Sequence, residues 1–147
     1  MKNSLGLLAG IALLILVVVN TFGTDSGTKN ENGIAFHQGT WNEALALAKK
    51  ENKLVFLDIS ASWCGPCRML KARTFPDSEV GIFYNANFIN VEVDGEEGEG
   101  IELANKYRIK GYPSLIFVNG NGEVVAQTAG YHNSEEFIEL GKKVIKK

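Results

Sequence analysis

Cysteine, proline and histidine are scarce in this chain of 147 residues, which has two cysteines, three prolines and two histidines. Two cysteines cannot build the multi-disulfide framework of a small secreted scaffold. Neither sign of charge dominates, because 15 Lys and Arg oppose 17 Asp and Glu, and a net charge of -2 disfavours a nucleic-acid-binding surface. With 45% hydrophobic residues, the composition is that of a globular protein with room for one domain.

The first segment of the chain, residues 1–23, is set apart by an apolar run. Residues 5–19 read LGLLAGIALLILVVV, with Lys2 before them and Asp25 as the first acid after them. A positive end followed by a short apolar run is typical of an export signal, although a spanning helix needs a slightly longer run. We therefore expect residues 1–23 to be a cleaved signal peptide or an N-terminal membrane anchor, with the rest of the chain exported.

After this segment, residues 24–33 read TDSGTKNENG, a composition that predicts a flexible linker. The folded domain is then expected over residues 34–147. A capping box at Thr40 and Glu43 starts a helix, and the apolar run 54–59 predicts a strand buried on both faces. The acidic segment 94–102, DGEEGEGIE, is interpreted as a solvated loop.

The whole order of elements is helix, strand, helix, strand, helix, strand, strand, helix. Early alternation implies parallel crossovers, and the turn Asn119–Gly122 implies an antiparallel hairpin. The fold class is therefore α/β, with a mixed central sheet, helices on both faces, a terminal hairpin and a C-terminal helix. The remaining helices are predicted near 64–72, 78–84, 101–107 and from Asn133 or Ser134, and the remaining strands over 88–93, 114–118 and 123–129.

Both cysteines lie in one short segment, Cys64-Gly65-Pro66-Cys67, which follows the buried strand and opens a helix. The start of a helix favours the thiolate of Cys64, which is the attacking form of the thiol. Cys67 lies one turn deeper, where it could attack a mixed disulfide. Pro66 is tolerated in a first helical turn. This pattern favours a redox pair.

Two other interpretations of the cysteines remain open. A purely structural disulfide would be strained at this spacing. Half of a zinc site would need two more ligands, and His37 and His132 lie far away in sequence. We therefore expect neither a metal nor a cofactor.

With its surroundings, the segment Trp63–Cys67 resembles the thioredoxin superfamily from about Thr40 to the C-terminus. Asp58 stands six residues before Cys64, as the buried acid of the family does, and the loop 110–114 resembles its cis-proline loop. The resemblance implies a thioredoxin fold. The helix at Trp41 and the extra helix after the active-site helix resemble exported members, including the C-terminal domain of the bacterial membrane thiol reductase DsbD.

The resemblance also implies roles for individual residues. Cys64 would be the attacking thiolate and Cys67 the resolving thiol, and they would form a redox-active disulfide. Pro113, if cis, would place its loop against the sulfurs and let the Tyr112 backbone pair with an extended substrate; otherwise it is an ordinary proline at a strand start. Trp63 would shield the disulfide. The substrate-binding residues would be Trp63, Gly65, Pro66 and Tyr112.

For Asp58, the resemblance implies a catalytic role through its burial. Desolvation would raise the pKa of the carboxyl, which could then deprotonate Cys67. The alternative is a buried acid paired with a neighbouring Lys. Many thioredoxins carry such a Lys on the adjacent strand, and counting back from Asp94 places that position at Asn90.

The direction of electron flow is not determined by the motif, because thiol-disulfide exchange is reversible. Gly-Pro between the cysteines resembles reducing thioredoxins, so we expect a monomeric reductase of disulfide-containing exported proteins. Its electrons would come from a membrane thiol reductase. The alternatives are a disulfide oxidase or isomerase, and a non-catalytic binding or chaperone module that uses the groove beside Pro113.

Overall fold

Five α-helices, four strands and one π-helical turn make up residues 33–147, the part of the chain that the computed structural model describes. The predicted signal or anchor and the linker, apart from Gly33, lie outside the described residues. In chain order the elements are α1 Trp41–Glu51, β1 Leu54–Ser60, α2 Gly65–Met69, the π-helical turn Leu70–Thr74, α3 Ser78–Asn87, β2 Phe88–Asp94, α4 Gly98–Lys106, β3 Ser114–Val118, β4 Val124–Ala129 and α5 Ser134–Ile145.

The four strands form one mixed sheet in the order β2-β1-β3-β4. Strand β1 pairs in parallel with β2 and antiparallel with β3, and β3 pairs antiparallel with β4. The prediction of parallel crossovers followed by a terminal hairpin is therefore confirmed. The register places Asp58 of β1 beside Glu92 of β2 on one side and Leu115 of β3 on the other.

Helices cover both faces of the sheet, as the α/β prediction requires. Because side chains alternate along a strand, β1 sends Val55, Leu57 and Ile59 to one face and Phe56 and Asp58 to the other. The first face packs against residues of α1 and α4. The second packs against the π-helical turn, α3 and α5, with Phe56 in contact with several aromatic rings. Asp58 is thus a carboxyl on an apolar face.

Residues 33–37 lie along the outer edge of β2. Phe36 forms a parallel bridge with Asn90, and the His37 N–H donates to the Asn90 carbonyl at 2.8 Å. The Asn85 side chain accepts from the Ala35 N–H at 2.9 Å and from the Asn90 amide at 3.1 Å. Asn90 is therefore used to hold the start of the described domain against the sheet.

Two details differ from the sequence expectations. Helix α4 begins at Gly98, so the acidic segment 94–102 is a short loop followed by the first turns of a helix. The helix after Cys64 ends in a π-helical turn, because the Phe75 N–H donates to the Leu70 carbonyl five residues earlier at 2.9 Å. Within residues 33–147, no helix is both long and apolar enough to cross a membrane.

Candidate active site

The two cysteines lie where the loop after β1 enters α2. Cys64 is the N-cap of α2, and its sulfur accepts a hydrogen bond from the Cys67 N–H at 3.2 Å. The two residues form a disulfide, with their Cα atoms 5.3 Å apart. Both are almost fully buried, with 3% of Cys64 and 1% of Cys67 exposed. Gly65 and Pro66 form the first turn between them, and Pro66 is exposed.

The loop before β3 closes over this disulfide. The Tyr112–Pro113 peptide bond is cis, which is the geometry that the resemblance implies. Tyr112 packs against a small cluster formed by Ala61 and the two cysteines. The Ser114 hydroxyl donates to the Gly111 carbonyl at 2.7 Å, which ties the two ends of the loop together. The structure thus brings the residue before the cis proline against two cysteines that lie far from it in sequence.

Trp63 is the most exposed large side chain at the site, with 64% of its surface accessible. Its indole N–H donates to the Glu96 carboxylate at 3.1 Å, and its ring meets the Tyr112 ring edge-on at 5.8 Å. A β-carbon at Gly95 would lie 2.6 Å from the Tyr112 ring, so the acidic loop packs closely here. Burial first, and then Glu96 and Asp94, raise the pKa of Tyr112.

Glu96 is a site residue that the sequence interpretation missed. The run of acids from Asp94 was interpreted as a solvated loop, and in the structure the Glu96 carboxylate holds the tryptophan next to Cys64. No local pattern marks this contact, since Trp63 and Glu96 are 33 residues apart.

Asp58 lies on β1, six residues before Cys64, and is 1% exposed. Neither carboxylate oxygen has a hydrogen-bond partner within the described residues. Burial above all, and then the nearby negative charge of Glu92, raise the pKa of this carboxyl to about 8 against the lowering effect of Lys71. Among residues 33–147 no Lys forms a direct ion pair with Asp58, and the nearby Lys71 pairs with Glu92 instead.

The position of the strand neighbour needs a correction. Counting back from Asp94 pointed to Asn90, but Asn90 lies opposite Phe56, two residues away along β1. The residue beside Asp58 is Glu92, and its carboxylate forms an ion pair with Lys71 of the π-helical turn at 3.0 Å. The basic group near Asp58 is thus Lys71, which lies on the helical segment after Cys67. It pairs with Glu92, and Glu92 in turn lies beside Asp58.

The histidines do not join this site. The His132 carbonyl accepts from the Thr74 hydroxyl at 2.7 Å at the far end of the π-helical turn, and His37 lies at the edge of β2. Among residues 33–147, no three side chains of His, Cys, Asp or Glu gather where they could hold a metal ion. The chemistry that this arrangement offers is thiol-disulfide exchange through the Cys64–Cys67 pair.

Comparison with known protein families gives a match over residues 41–145 to the thioredoxin-like domain. Among curated proteins, thioredoxin H2-1 of Oryza sativa is 35% identical over 103 residues, which cover 69% of this chain and 70% of the rice protein.

Solved structures agree with this match. A candidate disulphide isomerase from Bacteroides thetaiotaomicron is 41% identical with a TM-score of 0.69, covering 78% of this chain and 95% of that chain. The oxidised C-terminal domain of DsbD from Neisseria meningitidis is 27% identical with a TM-score of 0.60, covering 74% of this chain and 98% of that domain.

Proposed function

Because the chain belongs to the thioredoxin-like domain family of thiol-disulfide oxidoreductases, we propose that its Cys64–Cys67 pair works as a dithiol that reduces disulfides of exported proteins. The observation that carries the proposal is the position of Cys64 as the N-cap of α2, with Cys67 bonded to it one turn later. Backbone N–H groups at a helix start favour a thiolate over a thiol, which makes Cys64 the nucleophile.

The reaction runs in two exchanges. The Cys64 thiolate attacks one sulfur of the substrate disulfide, so that a Cys64–substrate bond forms and the other substrate sulfur leaves as a thiolate. Cys67 then loses its proton and attacks Cys64, which releases the second substrate thiolate. Two electrons pass to the substrate, and the protein is left with the Cys64–Cys67 disulfide that the structure contains.

Asp58 is proposed to take the proton from Cys67 in the second exchange. Its pKa of about 8 is close to that of an ordinary thiol, so the proton can pass between the two groups near neutral pH. An acid of ordinary pKa would be too weak a base for this step. The absence of a hydrogen-bond partner for Asp58 among the described residues leaves its oxygens available to the proton.

The substrate is proposed to lie along the loop before β3. Tyr112 packs beside the disulfide, and it and Pro113 directly precede β3 of the terminal hairpin, so the Tyr112 backbone can pair with an extended segment around the substrate cysteine. Trp63, Gly65 and Pro66 line the other side of Cys64. The exposed indole of Trp63 offers an apolar surface with a polar edge, which suits a protein partner.

The direction of the reaction and its partner are supported by two similarities. Gly-Pro lies between the cysteines as in reducing thioredoxins, and the chain is similar to the C-terminal domain of DsbD. We propose that a membrane thiol reductase re-reduces the Cys64–Cys67 disulfide after each cycle. Export through residues 1–23, as a signal peptide or as an anchor, places the domain where such a donor is needed.

Disulfide isomerisation is the second candidate function, and the similarity to the candidate disulphide isomerase favours it. Both functions need a free Cys64 thiol, so they are separated by Cys67→Ala: an isomerase should still rearrange scrambled disulfides, because a thiol of the substrate can release it, whereas net reduction should be lost. Alkylation of free thiols in acid-quenched cells tests the direction. A reductase is expected to have mostly free Cys64 and Cys67, whereas a mainly disulfide-bonded pair would contradict reduction and favour an oxidase. The full-length dithiol protein should also reduce insulin, and the double variant Cys64→Ser/Cys67→Ser should not.

A further inference from the structure

Asp58 is a buried carboxyl whose surroundings differ from those expected for a paired acid. A buried polar group usually has a hydrogen-bond partner, yet both of its oxygens lack one among residues 33–147. Its neighbour on β3 is Leu115, which carries no charge. Its neighbour on β2 is Glu92, whose negative charge opposes a second negative charge on the same face of the sheet.

Glu92 is paired in turn with Lys71, which lies one turn after Cys67 on the active-site helix. The Lys71 ammonium and the Glu92 carboxylate are 3.0 Å apart, and their side chains are 43% and 31% exposed. An ion pair this exposed adds little to the stability of the fold, about 1 kcal/mol or less. The two charges of this ion pair nevertheless lie beside the buried Asp58 carboxyl, where electrostatic interactions are weakly screened by solvent.

Other ionisable groups lie on the elements packed against this face. Arg73 of the π-helical turn, Glu79 of α3 and Glu135 of α5 are exposed, and the buried Tyr84 hydroxyl of α3 donates to the Phe137 carbonyl at 2.7 Å. On α2, Cys67 titrates only in the reduced protein, and the Arg68 guanidinium donates to the Ser62 carbonyl in the loop at 3.4 Å. The charges that act on Asp58 are Glu92, which disfavours its ionised form, and Lys71, which favours it.

We propose that Lys71 and Glu92 are positioning residues for the reaction, and that their ion pair controls whether Asp58 is ionised when Cys67 must lose its proton. The inference rests on the proposed function of Asp58. Lys71 alone would favour the ionised carboxyl, and Glu92 alone would favour the protonated one. Together they partly offset each other, so burial remains the main reason why Asp58 exchanges its proton near neutral pH. Because Lys71 belongs to the same helical segment as Cys67, substrate binding at that helix can reach Asp58 through this pair.

The two charges predict opposite effects, which makes the inference testable in the full-length protein. Lys71→Met leaves Glu92 unpaired and should raise the pKa of Asp58, whereas Glu92→Gln leaves Lys71 unpaired and should lower it. We expect the midpoint of the Asp58 titration, followed by carbon NMR of its carboxyl in the oxidised protein, to move by roughly one pH unit in each direction. The ascending limb of the pH profile for insulin reduction, on which Asp58 becomes ionised and able to accept the proton, should move the same way.

Matched controls separate this role from general damage to the fold. Lys142→Met removes a different lysine–glutamate pair, Lys142–Glu139 on α5. It should leave unchanged both the midpoint of the Asp58 titration and the midpoint of the pH profile for insulin reduction. Lys71→Arg keeps the cation and should keep the wild-type midpoint, and the double variant Lys71→Met/Glu92→Gln should return towards it.

Equal midpoints in all variants, or shifts of both single variants in the same direction, would overturn the inference while leaving the proposed function intact. A wild-type protein that fails to reduce insulin would overturn the proposed function, and the NMR titration would still decide the role of the ion pair.

Discussion

The Trp63 indole N–H donates to the Glu96 carboxylate at 3.1 Å, linking the residue before Cys64 to the loop that follows β2. The contact orients an aromatic side chain that is otherwise largely exposed, with 64% of its surface accessible. The sheet makes this possible, because parallel β1 and β2 end on the same edge and their following loops meet there.

Replacement of Glu96 by Gln should loosen Trp63, because a hydrogen bond to a charged acceptor is stronger than one to a neutral amide, by about 1 kcal/mol. The other tryptophan, Trp41, is buried, so acrylamide quenching of fluorescence measures mainly Trp63. We expect quenching to increase in Glu96→Gln and to stay unchanged in Glu97→Gln, which removes a neighbouring acid with no bond to the indole. Equal quenching in both variants would mean that the hydrogen bond does not restrain the ring.

Removal of the resolving thiol should trap the first intermediate. In Cys67→Ala, the Cys64 thiolate can still attack a substrate disulfide, but no second thiol releases the product. Non-reducing electrophoresis of cells that express the variant should then show adducts that disappear on reduction, and Cys64→Ala should show none. Adducts that form in Cys64→Ala, through the Cys67 thiol, would reverse the roles of the two cysteines.

Asp58 should make the folded protein less stable as the pH rises. The pKa of its carboxyl is raised from 3.8 to about 8 by folding, so the folded state keeps a proton that the unfolded state has released. Its stabilising contribution is fully present below about pH 4 and is lost as the pH rises through 8, amounting to roughly 3 to 4 kcal/mol between pH 5 and 8. Urea unfolding of the oxidised protein should show this slope in the wild type and a much flatter one in Asp58→Asn.

The same substitution should also slow turnover. Without a carboxyl to accept the proton of Cys67, insulin reduction at pH 7 should fall by roughly 10-fold to 100-fold. The loss is expected in release of the mixed disulfide rather than in its formation, so the adduct should accumulate in rapid-quench experiments. An unchanged rate would make Asp58 a purely structural residue.

A close contact between two glycines should be sensitive to a single methyl group. A β-carbon at Gly81 would lie 2.5 Å from the backbone of Gly33, where the described domain begins. Gly81→Ala should therefore destabilise the fold by about 1 to 3 kcal/mol, measured by urea unfolding. Gly111→Ala is the matched control, since a β-carbon there would have no neighbour within 4 Å among residues 33–147. Equal free energies of unfolding for the two variants would show that the segment starting at Gly33 shifts to accommodate the methyl group without loss of stability.

Local sequence patterns predicted the elements and the fold class because those patterns depend on nearby residues. The capping box at Thr40 and Glu43 starts α1, with the Thr40 N–H donating to Glu43 at 2.7 Å. Apolar runs gave β1 and β3 their burial, and Asn133 caps α5 as expected. The boundary of α4 was less well predicted, since Glu97 makes no side-chain cap bond and Gly98 begins the helix.

Pairing between distant residues was only partly accessible from the sequence. The start of β1 pairs with the start of β2, Leu54 with Phe88, so aligning the two predicted strands at their first residues would have placed Glu92 beside Asp58. Counting from Asp94 instead led to Asn90, which is two residues away. No comparable signal exists for Trp63 and Glu96, because loops carry no periodicity that could align them.

The amino-acid sequence by itself determined the order of helices and strands, the burial of Asp58 in an apolar strand and the placement of both cysteines at the start of a helix. These features follow from hydrophobic periodicity, capping and spacing within a few residues. Only the tertiary structure decided that Glu92, paired with Lys71, lies beside Asp58 and that Glu96 accepts a hydrogen bond from Trp63. Such contacts depend on strand register and on where loops meet, and these are set by packing the whole sheet between its helices.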